Sequence, residues 1–233
     1  PLPTGQYNVG TKIYTWEDSS RKEWFWEESN KFRRIPVQVW FPMEGGTKQL
    51  NSTYLQYPQD YIRVISADFN IPGSLLLNVK NIRTSATIDG NPKSGLGKRP
   101  IIIFSHGLGG FKNQNTIQME ELASHGYIIF ACDHVYDAGF VRFSEDEIIY
   151  SKSFVRHFPK GTTDEEYWDT REKHLSIRSQ DISFIIDQIE KLDTIDPDLS
   201  LLCDSQNISL MGHSFGGSTV LSTLLREKSI NSF

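Results

Sequence analysis

Residues 208–225 read ISLMGHSFGGSTVLSTLL. An apolar run, a glycine-flanked turn carrying a serine, and a second apolar segment follow one another without a gap. The turn, Gly212-His213-Ser214-Phe215-Gly216-Gly217, contains the pattern G-x-S-x-G, which sets a serine on a sharp strand-to-helix turn. Side chains two positions before and two after that serine would collide with the neighbouring strand and helix, so both positions are glycine. The helix that follows directs its positive end at the serine and at any oxyanion formed beside it. Val220, Leu221, Leu224 and Leu225 are spaced as a helix stripe. The stretch therefore nominates Ser214 as a nucleophile and the backbone N–H of Phe215 as a donor to an oxyanion. His213, adjacent to the serine, points elsewhere at such a turn and is expected to pack.

About a hundred residues earlier the chain reads PIIIFSHGLGG, residues 100–110. An uninterrupted β-branched run ends in His106-Gly107-Leu108-Gly109-Gly110, the pattern of a glycine-rich loop after a strand that contributes a second oxyanion donor. That donor is the backbone N–H of Leu108; His106 itself is expected to be structural. GYIIFACDH, residues 126–134, is another continuous apolar strand. Strands of this kind are buried on both faces, as in a parallel sheet covered by helices. Helical patterns lie between them. In NQNTIQMEELASHG, Ile117, Met119, Leu122 and Ala123 share a stripe and Gly126 stops the helix. From Thr163, which with Glu166 forms a candidate capping box, a longer helix carries Ile182, Ile185, Ile186 and Ile189 toward a break near Asp196-Pro197. Alternation of strand and helix implies an α/β architecture, a mostly parallel central sheet with helices on both faces. One domain spanning residues 1–233 is expected, incomplete at the C-terminus after the helix that follows Ser214.

The first hundred residues read as β-rich and irregular. RIPVQVWFP, residues 34–42, alternates as a half-buried strand, and TKIYTW, residues 11–16, is a weaker strand candidate. Residues 43–61 read as loop, NIPGSLLLNVKNI as a short apolar helix or surface flap, and residues 87–100 as a turn-rich connection. Residues 136–161, aromatic and charged, follow a strand that ends on the ligand side of such a sheet and are a candidate wall or lid. Trp24, Phe25 and Trp26 are expected in the core, with lipid contact as the alternative.

The 233 residues carry a net charge of −5, with no cluster of Lys and Arg, which argues against a nucleic-acid partner. No apolar run approaches the roughly 20 residues needed to cross a bilayer. The two cysteines, Cys132 and Cys203, do not suggest a disulfide framework, and Cys132 lies in an apolar run as a buried thiol. The compartment stays open, with an extracytoplasmic setting favoured over the cytoplasm.

One element is missing. Hydrolases of this fold order their triad as serine, then acid, then histidine. After Ser214 the one acid is Glu227, on the same predicted helix, and no histidine follows. Upstream, His125 suits the end of a helix, and His134 at a strand end is the one histidine placed to reach the site, in a topology that would break the usual order.

Taken together, PLPTGQYNVG, IPVQVWFP, IIIFSHGLGGFKNQ, ELASHGYIIFACDH and ISLMGHSFGGSTVLSTL resemble the platelet-activating factor acetylhydrolase family of α/β-hydrolases, in its plasma-type and bacterial members. The resemblance is strongest over residues 100–134 and 207–225. Residues 45–95 and 136–160 fit poorly, and DHVYD stands where the family often has an acid-His-Arg-Asp sequence. The resemblance implies a serine esterase that removes short or oxidised sn-2 acyl chains from phospholipids through an acyl-enzyme, with Ser214 as nucleophile, Leu108 and Phe215 as oxyanion donors, and no metal or cofactor. It implies a lipid or small-molecule ester substrate, with peripheral membrane or lipoprotein contact as a possible accompaniment. It also implies that the acid and histidine lie beyond residue 233, so that the chain by itself is inactive. A general short-chain carboxylesterase, a dienelactone- or polyester-type hydrolase, a peptidase or acyltransferase, and a non-catalytic binding protein of the same fold share the two motifs.

Overall fold

The computed structural model describes residues 2–23, 30–45, 51–152 and 161–226. Trp24, Phe25 and Trp26, His157 and Glu227 lie outside the described residues. Seven strands form one mixed sheet: β1 (Asn8–Lys22), β2 (Phe32–Met43), β3 (Asn51–Thr53), β4 (Arg83–Ile88), β5 (Arg99–Ser105), β6 (Ile128–Cys132) and β9 (Cys203–Gly212), in the order β3-β4-β1-β2-β6-β5-β9. β6, β5 and β9 run parallel, whereas β1 and β2 form a long antiparallel hairpin whose second strand joins β6. A separate small hairpin pairs β7 (Phe140–Arg142) with β8 (Ile148–Tyr150).

The three parallel strands are the apolar runs seen in the sequence; burial explains the composition of β5 and β6, whereas β9, last in the sheet order, buries only Cys203 and Ile208. All five residues of β6 are buried, as are Ile101, Ile103 and Phe104 of β5. One face packs Ile35, Val37, Val39 and Phe41 of β2 and Ile103 of β5 against Ile182, Ile185, Ile186 and Ile189 of α3 (Asp164–Glu190). The other packs Trp40, Phe104 and Ile129 against Met119 and Ala123 of α2 (Thr116–Ser124). Helices therefore cover both faces. The Thr163–Glu166 capping box opens α3 as expected, with the Glu166 N–H donating to Thr163 Oγ1 at 3.2 Å. Two short helices, α4 (Leu192–Ile195) and α5 (Pro197–Ser200), occupy the break after α3.

Several local expectations change. The weak candidate at residues 11–16 is part of a 15-residue strand, because its partner β2 pairs with it along nearly its whole length. Residues 43–61 hold β3 and the start of α1 (Pro58–Phe69), which Pro58 initiates at its first turn. NIPGSLLLNVKNI carries a 3-10 helix, Gly73–Asn81, with no buried residue, so it is a surface element. Ile117 is exposed on α2, while Glu120 and Ser124 are buried. On α6 (Phe215–Arg226) the buried positions are Gly216, Thr219 and Thr223, whereas Leu221 and Leu225 are exposed. The threonine hydroxyls donate back to the carbonyls four residues earlier, at 3.0 and 2.8 Å, so small, internally satisfied side chains fill the buried positions.

The start of α6 touches the end of β5 backbone to backbone. A Cβ on Gly216 would overlap the Ser105 carbonyl and lie 2.8 Å from the His106 oxygen, and neither atom can move aside. A Cβ on Gly217 would meet nothing closer than the Gly212 oxygen at 3.9 Å. Gly216→Ala is therefore expected to cost about 3 kcal/mol by overpacking, and Gly217→Ala to change stability by less than about 1 kcal/mol. Urea unfolding of both variants checks this; a Gly216→Ala protein as stable as wild type would contradict it.

Candidate active site

The strand β9 ends at Gly212, registered opposite Ser105 of β5, and the chain reverses at once into α6. The turn is held by the His213 N–H donating to the Ser105 carbonyl at 3.1 Å and the Gly216 N–H donating to the His213 carbonyl at 2.8 Å. A Cβ on Gly212 would lie 2.6 Å from the Gly217 nitrogen, so the turn closes only around glycine. Ser214 sits at its apex, exposed, with φ of +54°. A non-glycine residue in the left-handed region costs of order 1–3 kcal/mol, held here by the surrounding contacts. His213 is exposed rather than packed into the interior.

The loop after β5 lies against this apex. A Cβ on Gly107 would stand 3.3 Å from Ser214 Cβ and 3.1 Å from His213 Nδ1. Neither the Leu108 N–H nor the Phe215 N–H donates a hydrogen bond among the described residues. The glycine loop thus packs directly against an exposed, strained serine. The loop is braced from outside: the Gly109 N–H donates to the Asp137 carbonyl at 2.8 Å, and the Gly139 N–H to the Gly110 carbonyl at 3.1 Å. Phe111 packs on Tyr61 of α1 and on Phe140 of β7, with ring centres 5.2 and 5.3 Å away. The described part of the wall or lid candidate therefore packs on this loop, and with α1 and Phe111 it lines a cavity of about 260 Å³.

Below the loop lies a network that the sequence reading missed. Arg33, buried, donates to both oxygens of Asp181 at 3.1 and 2.7 Å and to Glu23 at 2.7 Å. Asp181 accepts from His134 Nδ1 at 2.9 Å, which leaves His134 Nε2 to accept from the Ser105 hydroxyl at 2.9 Å. Ser105 Oγ in turn accepts from Arg178 Nη2 at 3.0 Å. This acid–histidine–serine chain has the connectivity of a hydrolytic triad, but it is buried and ends on Ser105, not Ser214. His106 accepts the His134 N–H at Nε2 and donates from Nδ1 to the Gly107 carbonyl at 2.5 Å. His174 pairs with Asp137 at 2.6 Å, and His125 ends α2 beside Glu121. Each buried histidine is thus engaged away from Ser214.

Electrostatics agree with structural roles for these groups. Burial and the nearby Arg178 push His134 down to about 4 against the pull of Asp181, and burial and Arg178 hold His106 well below its usual value. Burial opposes the charge on Asp181, but Arg33 and the hydrogen bonds from His134 and Arg33 outweigh it, so the carboxyl stays below the usual range. Cys132 and Cys203 are free and buried, and burial pushes the Cys203 thiol up to about 12. Among the described residues no three His, Cys, Asp or Glu side chains are placed to hold a metal, and no helix is long and apolar enough to cross a membrane.

A sequence model of the family described as platelet-activating factor acetylhydrolase, isoform II, matches residues 1–232. The platelet-activating factor acetylhydrolase of Cavia porcellus is 26% identical over 98% of this chain and 52% of its own length. That of Bos taurus is 34% identical over 56% of this chain and 33% of its own. A probable 1-alkyl-2-acetylglycerophosphocholine esterase of Arthroderma benhamiae is 26% identical over 99% of this chain and 56% of its own. The chain thus spans between a third and somewhat over half of these relatives. Among solved structures, a ferulic acid esterase from Streptomyces cinnamoneus superimposes with a TM-score of 0.75 at 24% identity, over 98% of this chain and 58% of that one, which establishes the fold as that of the α/β-hydrolases.

The depressed histidines set a pH dependence. An unfolded histidine titrates near about 6.5, so between that value and the folded one the unfolded chain binds protons that the fold refuses. Stability is therefore expected to fall as pH drops from about 6.5 toward 4, with His134 still neutral at pH 5 by NMR titration. A His134 ring that protonates near pH 6.5 in the folded protein would contradict the network.

Proposed function

The chain belongs to the platelet-activating factor acetylhydrolase, isoform II, family, and we propose on that premise that it carries the nucleophile and oxyanion hole of a serine carboxylic-ester hydrolase. The observation that carries this reading is the strained, exposed Ser214 packed against the glycine loop, with the Leu108 and Phe215 N–H groups making no hydrogen bond among the described residues. Ser214 Oγ attacks the ester carbonyl carbon while a general base takes its proton. The carbonyl oxygen becomes an oxyanion and accepts from the N–H groups of Leu108 and Phe215, each worth roughly 3 kcal/mol in the transition state. Collapse of the intermediate breaks the C–O bond, the alcohol leaves with a proton, and water releases the acyl group from the acyl-enzyme. The names of the relatives point to a phospholipid with an sn-2 acetyl or other short acyl chain as the substrate of the whole protein.

Contact with a lipid surface is the second part of the proposal. Phe69 at the end of α1, Leu75 and Leu77 on the 3-10 helix and Ile82 after it are all exposed, beside Lys80 and Arg83. Neighbouring exposed apolar side chains with basic flanks suit peripheral insertion into a headgroup region.

In the whole protein, Ser214→Ala is expected to lower kcat/KM on an sn-2-acetyl phospholipid by at least about 10⁴-fold with the melting temperature nearly unchanged. Activity retained in that variant would overturn the assignment. Leu75→Asp with Leu77→Asp is expected to weaken sedimentation with phosphatidylcholine–phosphatidylserine vesicles at least tenfold, in order of magnitude; unchanged sedimentation would remove the surface from the proposal.

A further inference from the structure

We propose that Arg178, in the middle of α3, is the positioning residue that holds the two candidate oxyanion donors as one unit. The inference rests on the reading of Leu108 and Phe215 given above. Arg178 is buried, with 1% of its surface exposed, and is proposed to act through the loop.

Its Nη2 donates to the His106 carbonyl, which immediately precedes Gly107 and Leu108, and to Ser105 Oγ at 3.0 Å. On the other side of Leu108, the Gly109 N–H is held by the carbonyl of Asp137 at 2.8 Å. The carboxylate of that same Asp137 faces Arg178 Nη1 at 3.7 Å and is fixed by His174 at 2.6 Å. Arg178 and its counter-ion thus grip the loop before and after the donor peptide. The third contact crosses to the elbow: the Phe215 ring centre lies 5.1 Å from the guanidinium carbon of Arg178. One planar cation touches the β5 end, the counter-ion that anchors the loop, and the residue that carries the second donor. A lysine offers a point charge without the fork or the flat face, so it cannot make all three contacts at once.

The experiment measures kcat and KM on a soluble short-chain ester for whole-protein Arg178→Gln and Arg178→Lys, with Ser214→Ala and Arg33→Gln beside them. Arg33 sits at the far end of the same buried network, so Arg33→Gln reports the effect of network damage alone. Backbone amide exchange over residues 106–110 is followed by mass spectrometry in each variant. Arg178→Gln is expected to lower kcat per folded molecule about 100-fold, the size of one lost donor, with KM within about threefold. Arg178→Lys should fall between it and wild type, and exchange over residues 106–110 should speed up at least about tenfold. Arg33→Gln should lose stability without a comparable fall in kcat. If Arg178→Gln does not fold, Arg178→Lys carries the same comparison. Unchanged kcat and unchanged exchange in the Arg178 variants would overturn the proposal, as would an equal fall in kcat in Arg33→Gln. Activity retained in Ser214→Ala would instead overturn the nucleophile reading, and the exchange data would still decide whether Arg178 clamps the loop.

Discussion

The backbone contact between the first turn of α6 and the end of β5 is the constraint on which the rest depends. Gly216 lies against the Ser105 carbonyl with no room for a side chain, and Gly212 closes the turn from the other side. That closeness forces the reversal from β9 into α6 within two residues and drives Ser214 to a positive φ. It also brings the apex up to Gly107, so that the loop carrying Leu108 and the turn carrying Phe215 meet at Ser214. Among the described residues neither the Leu108 N–H nor the Phe215 N–H donates a hydrogen bond. A wider packing distance would accept larger residues and would separate the two donors.

What supports this contact is polar, and it is buried. Buried Arg33 and Arg178 face Asp181, Glu23 and Asp137, and the half-buried Arg21 joins Asp181 to Asp18. Breaking one partner of such a set strands a charge in low dielectric at a cost of about 3–5 kcal/mol. The Asp181–His134–Ser105 chain shows that the residue types of a hydrolytic triad do not by themselves make a site. Its hydroxyl is buried, its histidine is held neutral, and its serine is fixed between His134 and Arg178. Ser214 differs in exposure and in strain.

The parts of this arrangement that were legible in the sequence are those with local signals. The G-x-S-x-G turn, the glycine loop after β5, the three apolar strands and the capping box of α3 each rest on neighbouring residues, and the structure has all of them. The strand character of residues 8–22 was faint because pairing with β2, not composition, makes it a strand. The leucines of α6 misled because the buried positions of this helix are the small Gly216, set against the end of β5, with Thr219 and Thr223. The buried network was missed because its members are far apart: Arg33 and Asp181 are separated by 148 positions. A signal was present in α3, where His174, Arg178 and Asp181 continue, at helical spacing, the stripe of Ile182, Ile185 and Ile189. Polar residues on an apolar stripe are either errors of assignment or members of a paired set, and here they are paired.

The central claim is that Ser214, not the buried Ser105, is the group that attacks an ester. Mass-spectrometric mapping of the adduct left by a fluorophosphonate on the whole protein tests it most directly. The account predicts one adduct, on the peptide containing Ser214, with loss of ester hydrolysis in step with its formation. An adduct on Ser105 or another serine that abolishes hydrolysis, or hydrolysis that persists once Ser214 is fully modified, would contradict it.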